Sequence, residues 1–161
     1  MITVRAAMDL DAGSMAALLN AIIERGGTTA LTRPVTAQDM RDWMSATPDR
    51  SAWHVALDDR ERVIGFQWIA PNESLPEDAA DIATFVEIGR TGLGIGSALF
   101  SATAKAAKAL GYVWINATIR ADNEGGLVYY RSRGFRDWAR DTDVKLDSGL
   151  IVDKIRKRYD L

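Results

Sequence analysis

The chain has no cysteine and a single histidine, His54. Without thiols there can be no disulfide framework, no cysteine-ligated zinc site and no thiol nucleophile. One histidine excludes a multi-histidine metal centre and argues against a Ser-His-Asp machinery. Neither sign of charge is in excess: 20 Lys+Arg face 22 Asp+Glu, for a net charge of −2. No overall basic field is therefore available to draw nucleic acid or an anionic membrane. No apolar run approaches the ~18 residues of a membrane span, and Met1 to Arg5 lacks the apolar stretch of a secretory signal. These absences predict a metal-free cytoplasmic protein with neither nucleic acid nor membrane as partner.

What is present is a chain of 161 residues, 47% hydrophobic and 26% charged, a globular balance that predicts one domain over 1–161. Thr3 to Ala6 reads as a short strand. Met15, Leu18, Leu19, Ile22 and Ile23 then form one helical stripe, with Asp11 or Ser14 as cap and Gly26-Gly27 as stop. A second helix is expected from Thr36 to about Ala46, followed by a hairpin with strands around Trp53–Leu57 and Val63–Ala70. Pro71 to Asp78 is a loop. Strands are expected at Ile82–Ile88 and Tyr112–Ile119, helices at about 96–110 and 123–133, and final strands at 135–146 and 150–156. The class is α+β, with β-α-β-α-β at its centre.

Two segments carry chemistry. Gly89-Arg90-Thr91-Gly92-Leu93-Gly94-Ile95-Gly96-Ser97 joins a strand to a helix. Glycines there admit positive φ, and the helix start offers free N–H groups and a positive dipole end to a phosphate. The spacing excludes a P-loop, since no lysine follows until Lys105, and excludes a dinucleotide fingerprint, since Ser97 stands where glycine or alanine is required. Further on come Asn123, Tyr130 seven positions later, and Gly134-Phe135. Asn123 is a good N-cap, and Tyr130 lies two turns along on the same helix face.

Together these segments resemble the GNAT superfamily of acyl-coenzyme A N-acyltransferases. The stretch 92–100 is similar to that family's pyrophosphate loop, and Asn123, Tyr130 and Gly134-Phe135 are similar to its second half. Thr91 departs from it, standing where the family often has Gln or Arg. Asp81, Asn20, Glu24, Thr28-Thr29-Ala30 and Trp43 look like the phosphinothricin-acetyltransferase branch.

The resemblance implies the GNAT fold: a mixed, mostly antiparallel sheet of about seven strands, two splayed parallel strands at its centre, and about four helices. It also implies a homodimer and acetyl-coenzyme A as co-substrate. The pantetheine arm is expected in the splay beside Phe85 and Val86, and the pyrophosphate on the loop Thr91, Gly92, Leu93, Gly94, Ile95, Gly96, Ser97. Asn123 is expected against the pantetheine or the backbone beside it. Direct transfer to an amine needs a base, an oxyanion donor and an acid for the leaving sulfur. Tyr130 is the expected acid, at little cost for a phenol of ordinary pKa, and an N–H near Val86 the oxyanion donor. Asp81 is the first candidate base, with Glu24 and Glu87 as alternatives. Tyr129 is expected in the core. Trp68, Trp114 and His54 are expected to be structural, and the basic run 154–158 to be solvated surface. The acceptor is expected to be a small amine, such as an amino acid. A protein N-terminus or lysine, or a non-catalytic acyl-coenzyme A sensor, are the alternatives.

Overall fold

The computed structural model describes residues 1–161. The strands are β1 (Thr3–Ala6), β2 (Ala52–Leu57), β3 (Val63–Ala70), β4 (Ala79–Val86), β5 (Trp114–Arg120), β6 (Arg136–Lys145) and β7 (Ile151–Asp160). They form one sheet in the order β1-β2-β3-β4-β5-β7-β6. Every neighbouring pair is antiparallel except β4 and β5, which run parallel at the centre.

Four helices cover the sheet: α1 (Ala12–Arg25), α2 (Ala37–Ala46), α3 (Ile95–Ala109) and α4 (Glu124–Ser132). On one face Met15, Leu19 and Met40 of α1 and α2 pack on Trp53, Val55 and Phe66. On the other, Phe100, Ala107 and Tyr130 of α3 and α4 pack on Ile69, Ile82 and Ile115. Strand alternation therefore sends Asp81, Ala83 and Phe85 of β4 to the α1/α2 face, and Ile82, Thr84 and Val86 to the α3/α4 face.

Local rules account for the helix starts. Thr36 accepts from the Asp39 N–H (3.0 Å) while Asp39 accepts from the Thr36 N–H (2.9 Å), a reciprocal cap for α2. Asp11 departs from expectation. Its carboxylate is drawn to the Arg5 guanidinium (2.8 and 2.9 Å) and to the Met8 N–H (2.7 Å), and gives α1 no side-chain cap.

Several strand boundaries also differ from the sequence expectation, among them β5, which runs from Trp114 to Arg120 rather than from Tyr112 to Ile119. β4 starts three residues earlier, at Ala79, and ends at Val86 rather than Ile88. Alanine has little strand preference, but Ala79 and Ala80 are buried and pair with Trp114 and Ile115. β7 runs on to Asp160. Its basic run is no solvated fringe: Lys157 pairs with Asp137 and is 6% exposed, Arg156 pairs with Asp141 (2.9 Å), and Arg158 with Asp160 (2.7 Å). Lys157 and Arg156 find their acids across the ladder on β6, and Arg158 finds its own along β7.

Candidate active site

β4 and β5 are joined by only three ladder pairs, Ala79–Trp114, Ala80–Ile115 and Asp81–Asn116. Beyond Asp81 they part, while β4 stays paired to β3 and β5 to β7. The inner edges of Ile82–Val86 and of Ala117–Arg120 thus face a wedge-shaped gap with their backbone groups unpaired. Such an edge can accept an extended ligand carrying amides. The Glu87 N–H donates to Ile64 O across the β3 side (2.9 Å). Alternation then turns the N–H and C=O of Val86 and Thr84 into the gap and those of Phe85 toward β3. The Phe85 ring packs instead among Phe66 and Trp68.

α4 enters this gap from the α3/α4 face. Tyr130 is 7% exposed, and its hydroxyl lies 2.7 Å from Thr84 Oγ1. Burial, joined by the nearby Tyr129 phenol and the Asp81 charge, pushes the Tyr130 phenol well above its ordinary range, against the Thr84 hydrogen bond. Tyr130 is therefore a neutral hydrogen-bond donor, and outright ionisation is costlier than an ordinary phenol's pKa implied. Tyr129 is not merely packing. Its hydroxyl donates to Gly96 O (2.7 Å) in the first turn of α3 and accepts from Gln67 Nε2 (3.1 Å). Gln67, fully buried on β3, also donates to Thr84 Oγ1 (2.8 Å).

The other face of the gap carries Asp81. Its Oδ1 accepts from Asn116 Nδ2 (2.9 Å) and its Oδ2 from Asn72 Nδ2 (3.0 Å). The Asn116 amide is oriented by Trp138, whose indole N–H can only donate and does so to Asn116 Oδ1 (2.9 Å). Asn72 is held by the loop between β3 and β4, where its Oδ1 accepts from both the N–H and the hydroxyl of Ser74 (2.9 Å each). Burial raises the Asp81 pKa, outweighing the two amides and the Arg156 charge that pull it down. A carboxyl lifted above its normal range is a better proton acceptor when ionised. Arg156 lies over the Trp138 ring (5.8 Å), and Arg158 over Trp114 (4.2 Å).

At the far end of β4 lies the glycine turn. Gly92 and Gly94 have φ of +82°, and Gly94 starts α3 with no side-chain cap. The first-turn N–H groups of α3, from Ile95 to Ser97, have no intrahelical acceptor, an arrangement that can receive an anion. Arg90 is paired with Glu87, so its charge is already offset. The cation at the helix start is instead Arg133, from the end of α4, which donates to Ser97 Oγ.

Asn123 caps α4 through the Gly126 N–H (3.0 Å) and donates to Thr28 O (3.0 Å). Arg120, bidentate on Asp122 (2.9 and 2.7 Å), also reaches Thr29 O (3.1 Å). The loop after α1 is thereby tied to the β5–α4 junction. Glu24, in the last turn of α1, is exposed. Trp68 stacks on Trp53 with ring centroids 4.1 Å apart, Trp114 is buried, and burial keeps His54 toward its neutral form.

This arrangement has relatives. The model of the Acetyltransferase (GNAT) family matches residues 15–135. The chain belongs to that family. Over 163 residues it is 29% identical to a Bacillus subtilis (strain 168) protein bearing the name "Putative phosphinothricin acetyltransferase YwnH", covering 99% of this chain and 94% of that one. A phosphinothricin acetyltransferase from Sinorhizobium meliloti, solved in complex with AcCoA, superposes with a TM-score of 0.88 at 23% identity, over 99% of this chain and 88% of that one. A ribosomal-protein-alanine N-acetyltransferase from Brucella melitensis superposes at 0.90 with 20% identity, over 99% of both chains.

A GNAT enzyme is an N-acetyltransferase and takes its acetyl group from acetyl-coenzyme A. This structure suits that co-substrate on three counts: uncapped amides at the start of α3, an unpaired strand edge at Val86, and a tyrosine hydroxyl at the gap between β4 and β5. Sequence reading had picked out Tyr130, Asp81 and the glycine turn. It missed Thr84, Gln67, Asn116 and Arg133. For Gln67 and Asn116 a signal existed, since each is an amide inside an otherwise apolar strand, a placement that demands buried partners.

Proposed function

We propose that the protein transfers acetyl from acetyl-coenzyme A to the primary amine of a small molecule that also bears an acid group, an amino acid or an amino-acid-like compound. The observation that carries this reading is that one gap has Asp81 at the last β4–β5 ladder pair, on one face of the sheet, and the Tyr130 hydroxyl on Thr84 three residues further along β4, on the other. Asp81 accepts the proton the amine must lose, directly or through water. The Val86 N–H, turned into the gap, stabilises charge developing on the carbonyl oxygen. Tyr130 donates its hydroxyl hydrogen to the departing sulfur. One C–N bond forms and one C–S bond breaks; the sulfur keeps the bonding pair and takes the Tyr130 proton, and the proton lost by the amine makes good the tyrosine's through solvent, so that amine and thioester give amide and thiol.

The amides of Leu93 to Ser97 and the Arg133 guanidinium bind the pyrophosphate, with Gly92 and Gly94 setting the turn and Thr91 exposed beside it. Asn123 acts as the cap that aims α4. Arg156 lies over the Trp138 ring, but its guanidinium is already paired with Asp141 (2.9 Å), so the amino-acid reading rests on resemblance to the phosphinothricin-type branch and not on a free cation. Glu24, exposed in the last turn of α1, is assigned to the acceptor side, and Asp81 rather than Glu24 to proton transfer. One acetyltransferase domain over 1–161, working as a cytoplasmic homodimer, completes the reading. The absence of cysteine suits that setting, and the dimer rests on resemblance to the phosphinothricin-type branch.

The test is release of free thiol from acetyl-coenzyme A against free amino acids, their amides, polyamines and short peptides. Fastest turnover with a free amino acid, lost when its carboxylate is converted to an amide, is the expected result. Turnover with peptides alone moves the acceptor to a protein N-terminus or lysine. Tight binding of acetyl-coenzyme A without turnover on any amine marks a sensor.

A further inference from the structure

The hydrogen-bond directions around Tyr130 are fixed by their far end. Gly96 O can only accept, so the Tyr129 hydroxyl donates its one hydrogen to it (2.7 Å). The Tyr129 oxygen must then accept from Gln67, which turns the Gln67 nitrogen toward Tyr129 (3.1 Å) and gives its second N–H to Thr84 Oγ1 (2.8 Å). Gln67 has no exposed surface, and its own Oε1 is buried without a partner. That arrangement costs a hydrogen bond, so the direction of the chain is maintained against an energetic pull.

One bond remains, between Thr84 Oγ1 and the Tyr130 hydroxyl at 2.7 Å, and it can run either way. If Tyr130 donates to Thr84, its hydrogen is occupied and unavailable to the gap. If Thr84 donates to Tyr130, the phenol hydrogen is free. Donation from Gln67 occupies one Thr84 lone pair and polarises the Thr84 O–H, favouring the second direction through hydrogen-bond cooperativity.

We infer that Thr84, held by Gln67, is a positioning residue that donates to the Tyr130 oxygen and frees the phenol hydrogen for the leaving sulfur. This rests on the reading of Tyr130 as donor given above. As that O–H turns to the sulfur, the Thr84 hydrogen bond also supports the negative charge growing on the phenol oxygen. No atom is exchanged at Thr84 or Gln67; both keep their own hydrogens.

The test is a double-mutant cycle on kcat, with acetyl-coenzyme A saturating and the fastest amine of the acceptor panel as probe. Thr84→Val should lower kcat about tenfold, the size of one buried neutral hydrogen bond, and leave the KM for acetyl-coenzyme A within about twofold, a loss far smaller than that of a failed phosphate site. Thr84→Ser should restore kcat. In the Tyr130→Phe background Thr84→Val should add no further loss, because its only route to the reaction is gone. Gln67→Leu, which leaves the Thr84 hydroxyl in place, should fall between wild type and Thr84→Val. Unchanged kcat in Thr84→Val, or an equal loss with and without the Tyr130 hydroxyl, overturns the inference. Unchanged kcat in Tyr130→Phe alone overturns the reading beneath it instead, and so separates the two failures.

Discussion

Asp81 is held between opposed influences, and its pH behaviour follows from which is larger. Burial lifts its pKa, while the N–H groups of Asn116 and Asn72 lower it by less. A base with a raised pKa is competent only above that value, so kcat should fall as pH drops through a point above the ordinary carboxylate pKa of about 4. Asn116→Ala removes one stabilising N–H and should push that limb further up. A kcat profile whose acid limb stays in place in Asn116→Ala contradicts this. Asp11 shows the reverse sign. Arg5 and the Met8 N–H hold its pKa down, so its contribution to stability is present above the unfolded-state pKa and lost as pH falls through the lowered one. Asp11→Ala should cost about 1–3 kcal/mol at neutral pH by denaturant titration, with the difference shrinking in acid. Tyr130 and Asn123 were legible because a helix fixes which residues share a face. Thr84 was not legible as Tyr130's partner: the two are 46 residues apart, and only the packing of α4 on β4 joins them.

The start of α3 presents backbone rather than side chains, and its two inner glycines answer different local demands. Gly94 needs its positive φ but has open space around it, whereas a Cβ on Gly96 would lie 2.6 Å from the Tyr129 ring. Gly94→Ala should therefore cost about 1–2 kcal/mol of backbone strain, local to the turn. Gly96→Ala should displace Tyr129 as well, raising the KM for acetyl-coenzyme A and lowering kcat together. Steady-state kinetics of the two variants separate these effects, and equal changes in both would contradict the packing role. Arg133→Ala should raise the same KM with little change in kcat, since its guanidinium stands at the helix start and away from Asp81. Helices and hairpin were legible from periodicity and caps. The start of β4 was not, because buried alanines carry no pattern. The extent of β7 was hidden because alternating charges look solvated until the acids of β6 are known to lie opposite.

Across the whole molecule the gap between β4 and β5 is the organising feature. A parallel pair that separates after three residues leaves two strand edges unpaired in the middle of a sheet, where every other edge is bonded. The fold brings a carboxyl, Asp81, from one face and a hydroxyl, Tyr130, from the other to that opening. Resemblance in two short segments was enough to expect this architecture. The surroundings of Asp81 were much less legible, because Asn72, Asn116, Trp138 and Arg156 come from a loop and three strands with no common motif. The central claim is that acetyl transfer depends on Asp81 and Tyr130 facing this gap. Its most direct test is thiol release from acetyl-coenzyme A by wild type, Asp81→Asn and Tyr130→Phe, with acetyl-coenzyme A affinity measured on each by calorimetry. Each variant should lose about 10²-fold in kcat, the usual scale for a proton donor or acceptor, while affinity stays within a few-fold of wild type. Wild-type turnover in either variant, with acetyl-coenzyme A still bound, would contradict the account.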